Sequence, residues 1–157
     1  MVHHYFGSKR GLLGAIAEQL SVKIFAIPMR LFQTMPASRK DFASRMQLLF
    51  ETTLEAYIEH RTLLVVVVRE EIDTQGMQDY SQAFAEFLER AKHNGFVRQE
   101  LDSEMTTGAM LDRILNQITF APWVKRVHGV DILTDDEYQK RWCKANLDLF
   151  LNGIARS

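Results

Sequence analysis

Apolar residues recur along this chain at spacings of three and four, the period of one helical face. The first such series is Leu13, Ile16, Leu20, Ile24, Ile27 and Leu31. Ser8 stands before it as an N-cap, and Pro28 inside it predicts a kink or the end of the regular helix near Ile27. Met35-Pro36-Ala37-Ser38 breaks the pattern, with Ser38 as the next cap. Phe42, Met46, Leu49, Thr53 and Tyr57 then mark a second helix, with Phe50, Leu54 and Ile58 beside them. So wide a face predicts burial on more than one side.

Thr62 to Arg69 contains four consecutive valines. β-branched residues favour a strand by propensity, but no partner strand is visible and a lone strand leaves its backbone unsatisfied. The segment therefore reads as a short central helix, buried nearly all round, closed by Asp73-Thr74-Gln75-Gly76. Tyr80, Phe84, Phe87, Leu88 and Ala91 form the next stripe, and His93-Asn94-Gly95 is a C-terminus with glycine in the left-handed position. After the connector Phe96–Leu101, Asp102 or Ser103 caps a helix reaching about Phe120, before Pro122. A loop surrounds Gly129, and Thr134-Asp135-Asp136-Glu137 is a capping box opening a helix that runs nearly to the C-terminus. Six or so helices and no convincing strand define an all-α class.

The last two predicted helices are apolar on more than one face. Tyr138, Trp142, Ala145 and Leu149 form one stripe of the final helix, and Cys143, Leu147, Phe150 and Ile154 a second. Its predecessor carries Ala109, Met110, Leu111, Ile114, Leu115, Ile118 and Phe120 around much of its circumference. One helical stripe suffices for an outer helix of a monomer. Two helices with surplus apolar faces predict a four-helix homodimer interface, with Leu111, Leu115, Ile118, Trp142, Leu149 and Phe150 as its candidates.

Composition narrows the class without changing it. The 157 residues are enough for one domain, or a domain and a fragment, and 46% hydrophobic with 25% charged residues is ordinary for a soluble protein. One cysteine, Cys143, excludes an intrachain disulfide and fits a reducing compartment. No apolar stretch is read as approaching the ~20 residues of a membrane span, and the N-terminus lacks the apolar core of a signal peptide. A cytoplasmic protein without membrane contact is the expectation. The net charge of −1 is unevenly spread: residues 1–40 hold six basic side chains and one acidic, leaving −6 for the remainder. A basic front on an acidic body is consistent with polyanion contact at one pole.

Catalytic and metal chemistry find no carrier. His3 and His4 are adjacent, while His60, His93 and His128 are scattered, and Cys143 has no C-x-x-C partner. No Gly-rich phosphate loop, H-E-x-x-H or G-x-S-x-G occurs. A non-enzymatic protein without cofactor or metal follows as the expectation. A mostly apolar pocket between helices is the better candidate for chemistry. Met46, Phe50, Tyr57, Phe84, Met110 and Phe120 are its candidate lining, and Arg113, Asn116 and Gln117 its orienting groups.

Val2-His3-His4-Tyr5-Phe6-Gly7-Ser8-Lys9, followed by Leu12-Leu13 and Ala15-Ile16, resembles the signature of the tetracycline-repressor (TetR) family of transcriptional regulators. Phe96-Val97-Arg98-Gln99-Glu100-Leu101-Asp102 is similar to a segment common before the penultimate helix of such proteins. The resemblance implies a recognition-helix end and turn, a long connecting helix, a helical effector-binding body and two dimerisation helices. It makes Val2 and Phe6 apolar pins, and His3, His4, Tyr5 and Lys9 the DNA contacts, with Lys9 and free backbone N–H groups clamping a phosphate.

In the family, two helices and the start of the recognition helix precede this point. The remaining recognition-helix residues are too few to be stable alone. The expectation is therefore a division into residues 1–8, a remnant of the helix-turn-helix, and 9–157, an effector-binding and dimerisation domain. DNA binding is expected to be impaired in this chain. A late-assigned start codon, a chain trimmed to its body and a natural variant all fit. The expected function is a TetR-like regulator, as a probable repressor, of a small apolar or amphipathic effector, its intact form binding DNA. The alternative is a helical interaction protein that heterodimerises with full-length relatives through residues 103–157.

Overall fold

The structure is a computed structural model and describes residues 8–154. Among the described residues it has seven helices and no strand: α1 (Lys9–Leu31), α2 (Arg39–Glu59), α3 (Arg61–Arg69), α4 (Gln75–His93), α5 (Ser103–Thr119), α6 (Ala121–His128) and α7 (Asp136–Ile154). The all-α class read from periodicity is the class observed. Helix α4 packs between α1 and α5, and α2 contacts α1, α5 and α7. One large apolar core joins these helices, and a small satellite of Ala17, Val67 and Ile72 lies under α3.

Ser8 Oγ accepts from Gly11 N at 3.0 Å and starts α1 as expected. The buried face of α1 is rotated from the predicted stripe. Ala17, Leu20, Ser21, Ile24, Phe25 and Pro28 are buried, while Ile16 and Ile27 are 41% and 51% exposed. Two faces compete around this helix, and the winning one combines a large aromatic with small residues that admit a close neighbour. Pro28 does not end the helix, which runs to Leu31; near the C-terminus it forfeits one intrahelical bond and adds buried apolar surface. By length and composition α1, with mean hydropathy 1.4, is long and apolar enough to cross a membrane. The expectation that no stretch approaches a span was therefore too strict, because Ala, Gly and Ser interleave with its Leu, Ile and Val. In the fold, α1 lies along α2, α3 and α4.

The C-terminal end of α1 is held by cations, which suit exposed carbonyls at a helix end. Arg45 donates to Leu31 O at 3.2 Å and Thr34 O at 2.6 Å, and Arg90 to Phe32 O at 2.6 Å. Ser38 Oγ accepts from Asp41 N at 3.1 Å and opens α2. Its predicted face is buried throughout, with Ile58 half-buried at the side.

The valine run is helical, as the missing partner strand required. It is not buried all round: Leu64 and Val67 are buried, but Val66 and Val68 are 37% and 41% exposed. Helix α3 rests on its neighbours by one side only. Thr74 caps α4, whose buried residues are the predicted Tyr80, Phe84, Phe87, Leu88 and Ala91. Asp102 caps α5. Helix α6 was not expected, because Pro122 reads as a breaker; here it sits in the first turn, where no intrahelical N–H is needed. At the start of α7 the cap is Asp135, accepting from Tyr138 N at 2.9 Å, rather than Thr134.

Candidate effector site and its link to the first helix

Helix α1 is joined to the body by an aromatic layer and two polar latches. The Tyr80 ring lies against Phe25 at 4.1 Å, nearly parallel, and 5.7 Å from Phe32. Phe32 in turn stacks on Phe84 at 5.1 Å. At the other end of α1, Arg10 donates to Glu70 O and Glu71 O at 2.9 and 3.2 Å. Glu71 holds a φ of 51°, a left-handed conformation uncommon outside glycine, at the corner between α3 and α4. Two turns after Arg10, the Glu18 carboxylate accepts from Gln75 N at 2.8 Å and Gly76 N at 3.0 Å. An anion at a helix N-terminus satisfies its free N–H groups and its dipole, so a side chain of α1 caps α4.

Gly76 makes this approach possible. A Cβ there would lie 2.2 Å from Ser21 Oγ and 3.0 Å from Ser21 Cβ.

Between the latches and the aromatic layer lies a small cavity of about 20 Å³, lined by residues of α1, α2, α3 and α4 that include Phe25, Tyr57, Leu64, Val67 and Met77. That is room for about one water, whereas drug-sized ligands occupy ~300–1,000 Å³. Any such ligand has to part α1 from the corner formed by α3 and α4.

The core also holds unpartnered hydroxyls. Thr53 Oγ1, Tyr80 OH and Thr107 Oγ1 are buried with no hydrogen-bond partner, as is Gln117 Nε2. An orphaned buried group costs about 1–3 kcal/mol. Burial pushes the Tyr57 and Tyr80 phenols well above the usual tyrosine range. The Asp112 charge adds to the rise at Tyr57; at Tyr80 the neighbouring Tyr57 adds to it and the Thr53 hydroxyl opposes it. Thr53 is thus close to the Tyr80 phenol without reaching bonding geometry. Both phenols stay protonated and can donate.

The residues proposed from sequence for the pocket separate into two places. Met46, Phe50, Tyr57, Phe84 and Met110 are buried in the core, and of these Tyr57 lines the cavity. Arg113, Asn116, Gln117 and Phe120 come together instead in an outward groove of about 590 Å³ with Trp123 and Val124. Arg113 Nε donates to Asn146 Oδ1 and so ties α5 to α7. Sequence reasoning placed Thr53 and Tyr80 on apolar stripes without assigning them a role, and it passed over Thr107. A hydroxyl at a core-facing position was the available signal. The pairing of Glu18 with Gln75 and Gly76 has no sequence signal, since it depends on how two helices meet.

Of the proposed DNA contacts, His3, His4 and Tyr5 lie outside the described residues, and Lys9 is exposed on the first turn of α1. Among the proposed dimer residues, Ile118 and Trp142 are buried inside the protomer, so they pack its core rather than offer a surface. Leu111, Leu115 and Phe150 are half-buried against that core, and Phe150 meets Phe50 at 5.7 Å. Leu149 is 64% exposed, and Met105, Phe120, Trp123 and Val127 are exposed on α5 and α6. Cys143 is buried on α7; desolvation, then the charges of Glu51 and Glu55, push its thiol up to about 12. No group of three potential metal ligands occurs among the described residues.

No protein-family model matches the sequence, and no curated protein matches it. Solved structures do. The ketosteroid transcriptional regulator KstR2 of Mycobacterium tuberculosis matches with a TM-score of 0.67 at 17% identity, over 99% of this chain and 78% of that one. A TetR family transcriptional regulator from Chloroflexus aurantiacus matches with a TM-score of 0.67 at 16% identity, over 99% of this chain and 77% of that one. The chain therefore has the all-α fold of the TetR-family transcriptional regulators.

Proposed function

We propose that this protein is a TetR-like transcriptional regulator whose residues 9–157 bind a small effector and dimerise, and whose residues 1–8 are the end of a DNA-reading helix. The observation that carries this reading is the position of the cavity. It lies between α1, the helix that leads from the DNA-reading end, and the corner of α3 and α4 that α1 is latched to. A ligand that opens this seam has different affinities for latched and unlatched α1, which is the requirement for coupling two sites. A coupling of ~1–3 kcal/mol changes DNA affinity ~5–150-fold. The protein works as a cytoplasmic homodimer and carries out no catalysis. His3, His4, Tyr5 and Lys9 are its DNA contacts.

Fluorescence anisotropy with random-sequence duplex DNA tests the DNA part. Binding that weakens between 50 and 200 mM salt is expected, as for phosphate contacts. Binding unaffected by His3→Ala together with Lys9→Ala overturns the assignment of these contacts. Hydrogen exchange tests the regulatory part: a bound effector alters protection in residues 9–31 and 70–76 together. A change confined to α5–α7 contradicts the proposed coupling. The exposed Phe120, Trp123 and Leu149 support a second reading, a dimerisation partner that captures full-length relatives. Co-expression with such a relative, followed by native mass spectrometry, separates homodimers from mixed ones.

A further inference from the structure

We infer that the effector is an uncharged, flat, mainly apolar molecule bearing a carbonyl or hydroxyl oxygen, held by the hydroxyls of Tyr80 and Thr53. The inference rests on the effector-binding reading and names the chemistry of that site. Among the described residues the buried polar side chains besides Tyr57, Tyr80 and Cys143 are Ser21, Thr53, Thr74, Ser103, Thr107 and Asn146, with no charged group among them. Four of the six are occupied. Ser21 donates to Glu18 O, Thr74 caps Met77, Ser103 donates to Glu89, and Asn146 bonds Trp142 O and Arg113. The remaining hydroxyls, Thr53 and Thr107, together with the Tyr80 phenol, have no partner, and these three residues are 0%, 1% and 0% exposed. They come from α2, α5 and α4, the helices that enclose the core.

The surroundings define the rest of the molecule. Phe25 lines the cavity and lies flat on the Tyr80 ring, so it separates that ring face from the cavity. A flat ring system that displaces Phe25 takes over its stacking face and brings an oxygen to the Tyr80 O–H. A carboxylate in the same place loses its hydration with no buried cation to replace it, and the Asp112 charge felt at Tyr57 opposes it. A hydrocarbon leaves the hydroxyls as unsatisfied as before.

Calorimetric titration of the full chain with 9-fluorenone, fluorene and fluorene-9-carboxylate tests this. Fluorenone is expected to bind several-fold tighter than fluorene and at least about 10-fold tighter than the carboxylate. Tyr80→Phe keeps the ring stack and removes the donor, so it is expected to weaken fluorenone about 3- to 10-fold and leave fluorene unchanged. Thr53→Val gives a second, independent loss on fluorenone alone. The inference is overturned if the carboxylate binds as tightly as the ketone, or if both variants bind fluorenone like the parent; either result leaves an effector site of different chemistry. Failure of all three probes to bind overturns the effector-binding reading and this inference with it.

Discussion

Cys143 shows how burial governs a single side chain's chemistry here. Its thiol is 6% exposed on the apolar side of α7 and is pushed up to about 12 by desolvation and by Glu51 and Glu55. At pH 8 that leaves a thiolate fraction of about one in ten thousand, against roughly one in four for a free thiol. Iodoacetamide is therefore expected to label the native chain at least about a thousandfold more slowly than the urea-unfolded chain. Comparable rates in the two states would place Cys143 in solvent. The apolar stripe Cys143-Leu147-Phe150 made burial of this residue legible in the sequence. Tyr80 and Thr53 were less legible, because a stripe identifies which way a side chain faces and not whether its hydroxyl finds a partner. That depends on the spacing of three helices.

At the scale of elements, caps were the most readable features and inter-helix contacts the least. Ser8, Ser38 and Asp102 act at the positions read from sequence, since a cap bonds only three residues ahead along its own chain. The seam between α1 and α4 is different. Its Glu18 carboxylate bonds N–H groups 57 and 58 residues away, and Gly76 allows the approach. Replacing a helical glycine by alanine ordinarily gains up to ~1 kcal/mol. At Gly76 the new methyl would lie 2.2 Å from Ser21 Oγ, and overpacking costs ~1–3 kcal/mol. Gly76→Ala is therefore expected to destabilise the protein in urea denaturation, and Ser21→Ala in the same chain to recover part of the loss, since the Ser21 Cβ would still lie 3.0 Å away. Additive effects of the two substitutions would mean that the helices do not meet there. The same seam explains why the apolar face of α1 was read one step out of register. Ile16 and Ile27 fit the period, but the small Ala17 and Ser21 admit the closer neighbour.

For the whole molecule, five large apolar side chains on α5, α6 and α7 remain exposed in the single chain: Met105, Phe120, Trp123, Val127 and Leu149. Exposed apolar surface gathered on consecutive helices marks an interaction face. Light scattering at micromolar concentration is expected to give twice the chain mass of 18.2 kDa, and Leu149→Glu with Trp123→Glu to return it to the monomer. An unmodified chain that scatters as a monomer refutes the dimer. Sequence periodicity pointed to these helices and proposed Leu149, exposed in the single chain, for the interface. It also named Ile118 and Trp142, which the protomer buries itself. A helix with two apolar stripes does not say which one the protomer uses.

Local rules were enough for the all-α class, most helix starts and the core faces of α2 and α4, because helical period and capping operate within a few residues of the chain. Tertiary packing decided the rest. It chose the buried face of α1, converted Pro122 from a breaker into the first turn of α6, and divided the proposed pocket residues between core and outer groove. It also brought Glu18 to Gly76, and Phe25 to Tyr80 beside hydroxyls that lack partners. Each of these depends on distances between helices far apart in the chain, and no spacing along one helix contains that information.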